Sequence, residues 1–148
     1  MSSTTTSWPS LRVADGTATR ETLHMWTQIV GKIRMAHAPL LNHWWQVTLY
    51  PSPRGLTTSA VPYGTGAFEI ELDLLGHRLE VRSTDGGAPG FALTPMPVAE
   101  FYSTVLDVLG RPGSPAPIRP HPPSVAPAIP FAEDLPHPSF AGPAATRF

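Results

Sequence analysis

The chain has 148 residues, of which 41% are hydrophobic and 14% charged, and its 10 basic and 11 acidic side chains leave a formal charge of −1. That length suits one domain with tails, the missing basic excess disfavours bulk nucleic-acid binding, and no apolar run approaches the roughly 18 residues of a membrane span. With no cysteine, disulfides, thiolate metal sites and a cysteine nucleophile are excluded, and 19 prolines force part of the chain out of regular structure.

Residues 1–7, MSSTTTS, read as a disordered polar tail. They lack the basic stretch and apolar segment of a secretory signal, so a cytoplasmic location is expected. Trp8 before Pro9 is pushed toward extended geometry and offers a first anchor. Over residues 17–37, Leu23, Trp26, Ile29, Val30, Ile33 and Ala36 recur at helical spacing, with Thr17 or Thr19 to cap the start and Pro39 to end it. The opposite arc holds His24, Thr27, Gln28, Gly31, Lys32 and Arg34. It includes the chain's only lysine, where a simple solvent face would carry several Glu and Lys.

Residues 43–50, HWWQVTLY, alternate as a strand with His43, Trp45, Val47 and Leu49 on one face and Trp44, Gln46, Thr48 and Tyr50 on the other. Residues 56–61 form a second β-like run. Residues 67–74 and 78–83 alternate on either side of a Leu75-Gly76-His77 turn, a hairpin with opposite charges facing across it. Phe91 to Leu93 suit a short further strand. A second helix over about 97–109 starts at Pro97 and is stopped by Gly110 and Pro112. Eleven of the 38 residues after Gly110 are proline, leaving room for one edge strand at Ile118 and Arg119 in an otherwise polyproline-like stretch. The expected architecture is α+β: an antiparallel sheet of about 4–5 strands with two flanking helices, over residues 8–110, followed by a proline-rich C-terminal extension or linker over 111–148.

The strings TLHMWTQIVGKIRMA at 22–36, NHWW at 42–45, RGLTTSAVPYG at 54–64, FEIELDLLGHRLEVRSTDG at 68–86 and IPFAEDLPHPSF at 129–140 resemble a bacterial domain-of-unknown-function family, number 5996. The resemblance covers nearly the whole chain after the tail. It implies no activity. It does imply an N-terminal half, because members of that family run about twice as long, into what looks like a second copy of the same helix-then-strand plan. A lone half would then be inactive or self-associating.

Three clusters carry candidate chemistry. His24, Gln28 and Lys32 are spaced i, i+4, i+8 and form one stripe of imidazole, amide and ammonium, suited to an anionic or amide-bearing small ligand, with His24 as a candidate general base. The plainer alternative is a solvated helix face. Asn42, His43, Trp44 and Trp45 offer indole surface for a pocket or an interface, against the alternative that both rings simply pack. Arg54 with Thr57 and Thr58 presents a guanidinium fork and two hydroxyls to a carboxylate or phosphate, against the alternative of turn geometry and strand propensity. The spacing matches neither a P-loop nor a G-x-S-x-G elbow. His24, His43, Glu133, Asp134 and His137 lack zinc-site spacing, so no metal and no cofactor is expected. Two functions remain: a small-molecule-binding or enzyme-like domain with a polar pocket between the first helix and the NHWW strand, or a protein–protein interaction or self-association module that packs against a second repeat, a second copy or another protein.

Overall fold

The computed structural model describes residues 12–14, 16–110, 121, 122, 126, 128–136 and 138–147. The tail at 1–7, the Trp8-Pro9 anchor, the edge strand considered at Ile118–Arg119 and His137 lie outside the described residues. Helix α1 spans Thr17–His37 and buries Leu23, Trp26, Ile29, Val30 and Ile33, as the apolar spacing requires. Ala36 is exposed, so the stripe ends one turn earlier than the pattern suggests. No threonine caps the start: Gly16, at φ 96°, is the N-cap, and the Thr19 hydroxyl instead accepts the Ala141 N–H at 3.0 Å.

Among the described residues six strands follow: β1 (Tyr50–Pro51), β2 (Gly55–Thr57), β3 (Val61–Tyr63), β4 (Gly66–Asp73), β5 (Arg78–Ser83) and β6 (Gly90–Ala92). They form one antiparallel sheet in the order β1-β2-β4-β5-β6, with β3 also pairing β4. The fold is α+β. Pairing of Ile70 with Val81 and Leu72 with Leu79 sets those four side chains on the face under the helices. Gly55 is obligatory, since a Cβ there would collide with the Leu72 carbonyl oxygen across the ladder. Helix α2 (Val98–Gly110) lays Val98, Phe101, Val105, Val108 and Leu109 on the same core, and its Phe101 ring stacks on Trp26 at 4.6 Å and 5°.

Two strand readings need correction. Residues 43–50 are no strand: Asn42–Val47 forms a tight 3-10 turn, and only Tyr50–Pro51 joins the sheet. His43 (φ 54°) and Trp44 (φ 61°) are left-handed. The buried Gln46 carbonyl accepts the Leu41 N–H, so the turn bonds to itself instead of to a neighbouring strand. The 56–61 run likewise divides at Ser59 (φ 58°). There the buried Thr58 hydroxyl accepts the Ile70 N–H and donates to the Ser59 carbonyl, replacing ladder bonds where the strand breaks.

The core extends past residue 110. Phe131 and Ala145 are fully buried and Phe140 nearly so, its ring 5.3 Å from Trp26. A short helical turn, α3 (Gly142–Ala145), is tied to the sheet by the Thr146 hydroxyl donating to the Leu74 carbonyl at 3.0 Å.

Candidate functional site

The polar arc of α1 faces a groove of about 540 Å³. Residues 27, 31 and 35 form one row along the helix and residues 28 and 32 the next, because positions three and four apart are neighbours. Thr27, Gly31, Met35, Gln28 and Lys32 thus make its floor. Val47, Leu49 and Leu56 make the opposite wall, brought there by the turn after Trp45 and by β2. The polar pocket expected here is therefore largely apolar, with polar groups confined to the helix side.

Arg34 holds the wall in place. Its guanidinium Nη1 donates to the Thr48 carbonyl, between Val47 and Leu49, and its carbon lies 5.1 Å from the Tyr50 ring centroid. Gln28 Nε2 lies 3.0 Å from His24 Nε2. The other end of that carboxamide, Oε1, is buried and has no hydrogen-bond partner among the described residues. Lys32, the charged residue in the lining, is 8% exposed.

The other sequence-derived candidates are elsewhere and otherwise engaged. Arg54 Nε and Nη2 both contact Asp73 Oδ2 at 2.7 Å. Burial works to raise the Asp73 pKa, yet the Gly76 N–H, the Arg54 guanidinium and the Leu75 N–H outweigh it and hold that carboxyl below its ordinary value. Thr57 donates to Glu69 and Thr58 is consumed by the strand break. Arg54 and Thr57 thus belong to the outer sheet face, where Arg82 also bridges Glu69, Glu71 and Glu80, while Thr58 is fully buried. Asn42, His43 and Trp44 line a separate depression of about 460 Å³ with Leu40 and Leu41. Among the described residues, no three His, Asp or Glu side chains gather as a metal site would need, and no helix is long and apolar enough to cross a membrane.

A model of a family of unknown function, DUF5996, matches residues 8–148. The chain belongs to that family. No curated protein and no solved structure matches it. What the DUF5996 chain does must therefore be read from its own surface. Sequence reasoning singled out Gln28 and Lys32 by their odd composition, and both line this groove. It missed Met35, Val47, Leu49 and Leu56, whose apolar character reads as core. The usable signal was Gly31 in mid-helix, which leaves an opening where a side chain would stand.

A second surface also stands out. Leu40, Leu41, Trp44 and Trp45 are 73%, 54%, 58% and 63% exposed, within and just before the turn that holds the left-handed His43 and Trp44. Both indoles of the NHWW string point outward, where a strand would have buried one of them.

Proposed function

We propose that this DUF5996 chain is a small-molecule-binding domain whose ligand lies in the groove between α1 and residues 47–56. The observation that carries this reading is the vacancy kept at Gly31. A glycine in a helix interior is less stable than alanine by roughly 0.5–1 kcal/mol. At Gly31 nothing steric demands it: a Cβ would meet only the Val47 carbonyl oxygen, at 3.7 Å. The position costs the helix stability and gains the groove its depth.

The probe that tests this is the dye 1-anilinonaphthalene-8-sulfonate, added to the purified chain. Fluorescence enhancement should be lost in Gly31→Leu and kept in a Trp44→Ser, Trp45→Ser double variant. Enhancement that survives in Gly31→Leu overturns the reading.

A second reading rests on the exposed Leu40, Leu41, Trp44 and Trp45. Residues 35–53 contain no Asp, Glu, Lys or Arg, so this patch can face an identical copy without charge repulsion. In this reading the chain self-associates through the turn. Sedimentation velocity should then show a concentration-dependent dimer that the double variant abolishes, and a monomer at all concentrations rejects it.

A further inference from the structure

Resting on the groove reading above, we infer that the ligand is a medium-chain alkyl compound, held by its unbranched chain and selected by chain length, with its head group left in water. The opposite wall and one end of the floor are aliphatic: Val47, Leu49, Leu56 and Met35. No aromatic ring lines the groove among the described residues, so a planar ligand would find nothing to stack on. The polar side chains of the lining are committed to the protein. The Thr27 hydroxyl donates to the His24 carbonyl at 2.9 Å. The Gln28 carboxamide has its nitrogen against the His24 ring and its oxygen enclosed by protein. Lys32 is buried and already engaged within the protein. A head group drawn into the groove would therefore lose water without gaining a partner. A hydrocarbon chain has no such cost and gains by burying each methylene. The lining also sets a length. It follows α1 from Thr27 to Met35, about 12 Å along the helix axis, roughly the span of ten extended carbons.

The test is calorimetry of the full chain with hexanoate, octanoate, decanoate, dodecanoate and tetradecanoate, each below its micellar concentration. Affinity should rise about fourfold per added carbon and level off at decanoate. Met35→Trp, which fills one end of the groove, should move that plateau to octanoate while leaving hexanoate binding in place. Should Met35→Trp fail to fold, Thr27→Trp at the other end reads the same shift. Decanoate and 1-decanol should differ by less than about tenfold, because neither head enters the lining. Affinity that still climbs from decanoate to tetradecanoate, a plateau that the tryptophan does not move, or a larger preference for either head group overturns the inference. In that event loss of all binding in Gly31→Leu would still uphold the groove reading. Binding that Gly31→Leu leaves untouched, or no binding by any probe, overturns both.

Discussion

Two glycines separate what the fold needs from what the groove needs. At Gly55 the Leu72 carbonyl oxygen leaves no room for a side chain, so Gly55→Ala should destabilise the sheet by 2 kcal/mol or more, by about the cost of overpacking. At Gly31 the same substitution meets ordinary contact distance. Gly31→Ala should raise unfolding free energy by about 0.5–1 kcal/mol in urea titrations while weakening dye binding. A variant that is both less stable and unable to bind would show Gly31 serving the fold instead. The left-handed pair His43 and Trp44 offers a complementary measurement. A side chain in this region costs roughly 1–2 kcal/mol, so His43→Gly should stabilise by about 1 kcal/mol, after allowing for the greater freedom glycine has when unfolded. Gln46→Ala should lose about 1–2 kcal/mol, because the buried amide satisfies the Leu41 N–H that holds the turn.

The β4–β5 hairpin was legible because its period-two pattern is clean: Phe68, Ile70 and Leu72 face inward against Leu79 and Val81. Residues 43–50 were misread for an equally physical reason. Alternation with a large residue on both faces carries no inside and outside, and backbone bonding within the turn decided the matter. On the outer face of the hairpin, Arg82 sits among Glu69, Glu71 and Glu80. Burial acts to raise the Glu71 pKa, but the Ser52 hydroxyl and Arg82 together pull it below its ordinary value. A carboxyl held low stabilises the fold while ionised, so its contribution is full above its unfolded pKa, near 4.3, and is lost as the pH falls through its folded value. Arg82→Ala should therefore cost about 1–2 kcal/mol at pH 7, discounted for an arginine side chain that is 43% exposed. The gap to the unaltered chain should narrow below about pH 4. Denaturant melts at both pH values check this, and a gap independent of pH would mean that Arg82 acts by packing alone.

At the scale of the molecule, the core is completed from the far end of the sequence. Proline density after Gly110 hid this, because composition reports local stiffness and says nothing of a few isolated aromatics that dock. Phe140 is one of them, 7% exposed and stacked beside Trp26, whose other contact is the Phe101 ring of α2. Phe131 is another, lying against Tyr102 at 5.8 Å. The neighbouring backbone is fixed by the Thr19 hydroxyl at Ala141 and by Thr146 at Leu74, so the segment is bonded to both α1 and the sheet. Emptying the Phe140 site would leave a cavity beside the largest fully buried side chain, Trp26. Phe140→Ala should accordingly lose about 3 kcal/mol, with Trp26 emission shifting to the red as water reaches the ring. A chain cut after Gly110 would expose Trp26, Phe101 and the ends of both helices together, and should lose its cooperative melt. If the cut chain melts with an undiminished midpoint, residues beyond 110 are only an appendage, and the closure of the core described by Phe131, Phe140 and Ala145 contributes nothing to stability.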